Sequence, residues 1–214
     1  MRPATHWRAA QDEPTVTLLL RHGQTPMSVQ KRYAGRSDPP LTDIGVQQAA
    51  AAAKRLASAG FGVIVTSPLL RTVQTAQQVA AVTGAAVVTD DGFRETDFGA
   101  WDGLTFTEVR ERWPDEVTAW LADPEVAPPG GESFTDVSAR VTAALNRVLA
   151  AQAGQTVLIV SHVTPIKTLV TAALLAPPAA LYRMHLDIAA LSEIDWYPDG
   201  PAVLRSFNDT GHLS

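Results

Sequence analysis

Val16-Thr17-Leu18-Leu19-Leu20-Arg21-His22-Gly23-Gln24-Thr25 passes from an apolar run to polar residues in a single step. Val16 to Leu20 has the character of a strand buried on both faces, and Arg21-His22-Gly23 is what its carboxyl end delivers. In open α/β sheets ligands collect outside such ends, so a site is expected there. The same pattern returns at Thr156 to Val160, which stops at Ser161-His162.

The segments between these strands alternate in type. Thr42 can cap a helix running to about Ser58, with Ile44, Val46 and the alanines available for packing and Gly60 as the stop. Gly62 to Thr66 reads as a strand, Leu69 to Thr83 as a helix entered through Pro68, and Ala85 to Thr89 as another strand. Thr105 and Glu108 have capping-box spacing ahead of a helix reaching Trp113, and a second short helix follows Pro114, which together suggest an inserted helical cap. After the forced loop Pro128-Pro129-Gly130-Gly131, Ser133 and Asp136 open a long helix with Val137, Val141, Leu145, Val148 and Leu149 along one face. Another helix is expected from about Thr164 to Leu175. Leu186 to Asp195 and Ala202 to Phe207 alternate like strands around Pro198-Asp199-Gly200, predicting an edge hairpin. Strands alternating with helices imply an α/β fold with a mainly parallel sheet covered on both faces.

Composition narrows the partners. A chain of 214 residues with 46% hydrophobic and 18% charged residues fits one soluble globular domain, read as residues 15–214. Met1 to Pro14 is polar and aperiodic and reads as a flexible tail or linker. The net charge of -5 argues against broad nucleic-acid binding, so an anionic ligand must meet a local basic pocket. The absence of cysteine excludes thiolate catalysis and Cys-built zinc sites. No apolar run approaches the ~20 residues needed to cross a bilayer, and the first residues lack a signal-peptide core, so no membrane association and a cytoplasmic location are expected.

Several residues carry chemistry suited to phosphate. Arg21 and His22 leave one strand end together, and Gly23 would let backbone approach a ligand. A neutral imidazole nitrogen can attack phosphorus and later be displaced by water, and the Arg21 cation disfavours a second positive charge on His22. Alone, Arg-His-Gly is an ordinary strand-to-loop turn. Ser67-Pro68-Leu69-Leu70-Arg71-Thr72 adds Arg71 in the first turn of a helix, where a bound anion would offset its conflict with the helix dipole. His162, if protonated, would donate to phosphate oxygens as charge builds. Glu95, in the Gly-rich loop Phe93 to Gly103, can protonate a leaving oxygen, with Asp97 and Asp102 as rivals that would otherwise order the loop. An acidic-to-neutral optimum follows from that acid. His185 and His212 are assigned structural roles. Other readings are a metallohydrolase using His22, His162 and Glu95, disfavoured by the neighbouring arginines, a silent phosphate-binding module, and a partner-binding appendage presenting Trp113, Trp120 and Leu121. Trp101 or Phe106 would cover an apolar or aromatic leaving group.

Taken in order, these segments resemble the histidine phosphatase superfamily, which includes phosphoglycerate mutases and α-ribazole phosphatases, over roughly Thr15 to Leu213. Arg21 through Thr25 matches its Arg-His-Gly motif with the following Gln and Thr, and Gly35 to Thr42 resembles its next loop. The resemblance implies a three-layer α/β/α sandwich with a small helical cap, phosphomonoester substrates, and no metal or cofactor. By resemblance His22 is phosphorylated, Arg21, Arg71 and His162 form the phosphate pocket, and Glu95 is the proton donor. The substrate-binding set extends to Gly23, Gln24, Thr25, Ser28 and Val163. Ser28 stands where relatives often carry an Asn, and Val163 replaces a usual Gly. Gly131-Glu132-Ser133 matches a further motif near the pocket. The short, acidic stretch before the second histidine, the compact cap, Arg94 to Gly99 and Asn208 to Leu213 look most like α-ribazole phosphatases and broad-specificity relatives, favouring hydrolysis over mutase activity. The expected substrate is α-ribazole phosphate in cobalamin synthesis, with a broad-specificity acid phosphatase or a phosphoglycerate mutase-type transferase as alternatives. Arg32 to Arg36 and Ser161 to Lys167 resemble the phosphatase half of bifunctional ribonuclease H/α-ribazole phosphatase proteins, so a fused amino-terminal ribonuclease H domain is expected. A homodimer would follow if apolar residues of the edge hairpin are exposed.

Overall fold

The computed structural model describes residues 13–214, so the expected amino-terminal tail lies outside the described residues except for its last two. The strands β1 (Thr15–Arg21), β2 (Val63–Thr66), β3 (Ala86–Thr89), β4 (Thr156–Ser161), β5 (Leu191–Trp196) and β6 (Ala202–Asp209) form one sheet in the order β3-β2-β4-β1-β5-β6. The helices are α1 (Pro26–Val29), α2 (Asp43–Leu56), α3 (Leu70–Thr83), α4 (Phe106–Arg112), α5 (Pro114–Ala122), α6 (Phe134–Ala151) and α7 (Val163–Ala173). Strands β1 to β4 pair in parallel, and β5 and β6 add an antiparallel hairpin beside β1.

Alternation along the central strands splits the core between the two faces of the sheet. Leu19, Val65, Val157 and Ile159 pack with Val137, Val141 and Ala144 of α6 and Ile166 and Leu169 of α7. Leu20, Ile64, Leu158 and Val160 pack with Ala52, Ala53 and Leu56 of α2 and Ala76 and Val79 of α3. A separate cluster of Phe98, Trp101, Val109, Val117, Trp120, Phe134 and Leu181 fills the cap built by α4 and α5. The helix starts follow the capping signals. Thr42 accepts from Gly45 N at 3.0 Å, and Thr105–Glu108 and Ser133–Asp136 close reciprocal capping boxes. Among the described residues no helix is long and apolar enough to cross a membrane.

Two sequence readings need correction. Of the residues read as packing α2, the alanines hold, since Ala49, Ala52 and Ala53 are buried with Leu56, but Ile44 and Val46 are exposed. Small residues bring that helix close to the sheet, and the β-branched pair falls on the solvent side of its first turn. The strand expected from Leu186 begins only at Leu191. Residues 186–190 fold over the end of β1: Leu186 O accepts from Arg21 Nη1, Ala189 N donates to His22 O, and Ala189 takes a left-handed φ of 55°.

The loop after β1 is pressed against α2 at a glycine–glycine contact. A Cβ on Gly23 would lie 2.4 Å from Gly45 O, and one on Gly45 would lie 2.2 Å from Gln24 O. Gly45→Ala is therefore expected to cost about 1–3 kcal/mol through overpacking against backbone. Gly84→Ala, at a φ of 71° with open space around it, should cost no more than about 1–2 kcal/mol for its left-handed conformation. Both are measured by urea unfolding, and only Gly45→Ala is expected to depress activity as well, because Gly45 abuts the backbone that follows His22.

Candidate active site

Parallel register assembles the site. Arg21 pairs with Ser161 and Thr66 with Val160, and the pattern continues as His22 N donates to Ser161 O at 3.1 Å and Ser67 N to Val160 O at 3.1 Å. His22, Ser67 and His162 thus leave three adjacent strand ends at one level. The His22 and His162 ring centroids are 5.2 Å apart.

His22 is almost fully buried, yet it lines a cleft of about 320 Å³. Its Nδ1 donates to Gly23 O at 2.8 Å, since a carbonyl can only accept. Nε2 therefore carries the lone pair, and it has no protein hydrogen-bond partner among the described residues. Burial, reinforced by the Arg71 and Arg21 cations, holds the His22 imidazolium well below its ordinary 6.5, keeping the ring neutral.

Arg71, in the first turn of α3, is 1% exposed. It donates from Nη1 to Ser37 O at 3.0 Å, from Nη2 to Ala34 O at 2.7 Å, and from Nε to His162 Nδ1 at 3.3 Å. The carbonyls of the loop thus compensate a cation at a helix amino terminus. That loop is ordered by Asp102, whose carboxylate accepts from Gly35 N, Ser37 N and Ser37 Oγ. Asp97 pairs with Arg36 and accepts from Gly99 N. Both rivals for the acid role are engaged in ordering loops, and neither lines the cleft.

Arg21 donates to Leu186 O at 2.6 Å, and its Nε is buried without a partner. Burial lowers its guanidinium pKa to about 10, still fully charged at neutral pH. His162 lies behind the cleft wall. Its Nδ1 faces Arg71 and its Nε2 meets Ser67 Oγ at 2.8 Å, so neither nitrogen is free. Burial first, then Arg71, keep it neutral. Direct donation from His162 to phosphate would require the ring to give up one of these partners. As placed, it orients Arg71.

Glu95 reaches the cleft from the loop after β3. Its carboxylate accepts from Thr96 N at 2.8 Å and, at the amino terminus of α7, from Val163 N at 3.1 Å and Thr164 N at 3.3 Å. Val163 and Thr25 line the cleft as expected. Ser28 does too, but its hydroxyl is committed to the Thr25 capping box. Gly23 and Gln24 face α2 and α3 rather than the cleft: Gln24 Oε1 accepts from Thr42 Oγ1, the cap of α2, at 2.8 Å, and Gly23 N donates to Thr75 Oγ1 on α3. Among the described residues no group of three or more His, Asp or Glu is placed to hold a metal ion.

The far wall is aromatic, formed by Tyr33, Phe98, Trp120, Phe134 and Tyr182. This corrects the expectation for Trp101, which is wholly inside the cap core, and for Phe106, which is exposed on α4 outside the cleft. Trp120 and the partly buried Trp113 belong to the cap core, leaving only Leu121 exposed of the three residues read as a contact surface. Arg32 and Lys167 were missed as wall residues. For Lys167 a signal existed: it follows Val163 by four residues, one helical turn along the same face. Its Nζ donates to Leu181 O at 3.3 Å, and burial lowers its pKa. His185 is exposed beside Asp187, and His212 Nε2 donates to Ala189 O.

This sheet and strand-end site are those of the histidine phosphatase superfamily (branch 1), whose family model matches residues 17–210, and the chain belongs to that family. The bifunctional protein Rv2228c of Mycobacterium tuberculosis is 50% identical over 208 residues, which cover 97% of this chain and 57% of that protein. The chain thus spans little more than half the length of that relative. The structure of mycobacterial glucosyl-3-phosphoglycerate phosphatase Rv2419c with VO3 is 31% identical and superposes with a TM-score of 0.85, covering 92% of this chain and all of that one. An Escherichia coli protein provisionally assigned as an alpha-ribazole-5'-P phosphatase is 28% identical with a TM-score of 0.84, over 92% of this chain and 97% of that one. Phosphatase or mutase chemistry follows from the family.

The neutral histidines set a pH dependence of stability. Unfolded His takes up a proton as pH falls below 6.5, whereas buried His22 and His162 do not until much lower pH. Stability is therefore full above 6.5 and is lost below it, at roughly 1.4 kcal/mol per pH unit for each such proton. Urea unfolding between pH 5 and 6.5 should show a slope smaller by about one proton in His162→Asn than in wild type. Equal slopes would mean that His162 is protonated in the folded protein.

Proposed function

We propose that the protein is a metal-independent phosphomonoester hydrolase that works through a phosphohistidine on His22. The observation that carries this reading is the neutral, Nδ1-protonated His22 presenting Nε2 in a cleft with Arg21, Arg71 and Glu95. In the first step Nε2 bonds to phosphorus, the ester P–O bond breaks, and Glu95 gives its proton to the departing oxygen. In the second, water attacks phosphorus as Glu95 takes its proton, the P–N bond breaks, and phosphate leaves. Arg21 and Arg71 stabilise charge on the phosphoryl oxygens.

We take α-ribazole phosphate, an intermediate of cobalamin synthesis, as the substrate. Support comes from the aromatic wall, which suits a benzimidazole, and from the likeness to the E. coli protein. The relative's description as bifunctional supports reading the chain as the phosphatase half of a cytoplasmic protein that also carries a ribonuclease H domain. Broad-specificity phosphatase and phosphoglycerate mutase activities are the competing outcomes.

Assays in chelator should show phosphate release from α-ribazole phosphate exceeding that from an aryl phosphate or glucosyl-3-phosphoglycerate, with no isomerisation of 3-phosphoglycerate. His22→Ala should abolish turnover, and Arg71→Ala should reduce kcat/KM by about 10²–10³. Acid-labile, base-stable label from a radioactive phosphoester should appear on wild type and not on His22→Ala. Loss of activity in chelator, or label surviving in the mutant, would refute the mechanism. Equal rates on all esters would leave a broad-specificity enzyme. Lys167→Met should raise KM for α-ribazole phosphate several-fold more than for the aryl ester, because Lys167 lines the cleft and its Nζ donates to Leu181 O, next in the chain to Tyr182 of the aromatic wall.

A further inference from the structure

Glu95 sits in a loop without regular secondary structure, so something outside the loop must fix its position. The start of α7 holds the carboxylate, and the anchor of the backbone is Arg140 on α6. Its Nη1 donates to Gly92 O at 3.0 Å and Arg94 O at 2.7 Å, and its Nη2 to Glu95 O at 3.0 Å. The remaining donors form a two-pronged contact with Glu132, Nε to Oε1 at 2.9 Å and Nη2 to Oε2 at 2.9 Å. All five guanidinium protons are therefore used. Glu132 closes the circuit, since its Oε2 accepts from Asp97 N at 2.9 Å and its own N donates to Asp97 O at 2.8 Å. The platform is rigid, because α6 buries Val137, Val141 and Ala144 against the sheet on either side of Arg140. Arg140 does not line the cleft, so it makes no contact with substrate there; its hydrogen bonds reach the site through the loop it holds, and its charge is felt at His162.

We propose that Arg140, braced by Glu132, is a positioning residue for proton transfer: it fixes the Glu95 backbone so that the carboxyl group meets the leaving oxygen. This gives Gly131-Glu132-Ser133 a task that the phosphate chemistry alone does not supply. The inference rests on Glu95 being the acid.

The test compares kcat/KM, which reports the phosphoryl-transfer step, for an alkyl phosphate and p-nitrophenyl phosphate. The alkoxide needs a proton to depart, and the nitrophenolate does not. Arg140→Met and Glu132→Gln should slow the alkyl ester by about tenfold or more while leaving the nitrophenyl ester within about twofold. Preserved nitrophenyl activity also reports an intact fold, and Glu132→Gln keeps the side-chain shape should Arg140→Met fold poorly. In a Glu95→Gln background Arg140→Met should cause no further loss on the alkyl ester. Equal losses on both esters, or additive losses in the double variant, would overturn the positioning role. If Glu95→Gln alone slows both esters equally, the acid reading fails first and the positioning role falls with it.

Discussion

The pairing of β1 with β4 is the constraint on which the active site depends. Arg21 opposite Ser161 puts the two histidines that follow these strands side by side, and Val160 opposite Thr66 brings Ser67 level with them. A slip of one residue would exchange the faces of the sheet, sending Leu19 toward α2 and Leu20 toward α6. The hydrophobic alternation that holds the register therefore also fixes the distance between His22 and His162. Packing energy distributed over two cores is expressed as the placement of a few polar atoms.

Those polar atoms are cationic groups and neutral rings taken out of water. Arg71 is compensated by the carbonyls of Ala34 and Ser37, Arg21 by that of Leu186, and both histidines stay uncharged because the arginines and burial act in the same direction. An acidic protein thereby keeps a basic concavity. Asp102 and Asp97, whose charges oppose the arginines, sit one layer back and hold loops in place.

Much of this was legible in the chain. Strand ends followed by polar residues located Arg21, His22 and His162, and capping signals at Thr42, Thr105 and Ser133 located the starts of three helices. What escaped depends on tertiary direction. The alanines of α2 pack as read, but the apolar character of Ile44 and Val46 gave no sign that the first turn of the helix would leave them facing solvent. Trp101 and Phe106 were as apolar as Trp120 and Tyr182, and only the fold of the cap decided which rings faced the cleft. Leu186 to Ala190 alternates like a strand, but its backbone groups are claimed by Arg21 and His22. The role expected of His162 was conditional on a proton that burial and the neighbouring Arg71 disfavour.

The cap has a hydrophobic cluster of its own, distinct from the two that flank the sheet. The rings of the far cleft wall belong to that cluster or pack on it, whereas Arg21 and His22 come from a strand end. Trp120 and Tyr182 thus lie in packing that is largely separate from the sheet core that sets the level of His22. The aromatic wall and the strand end that presents His22 therefore draw on different packing, so a change of ring on one side need not be transmitted to the other.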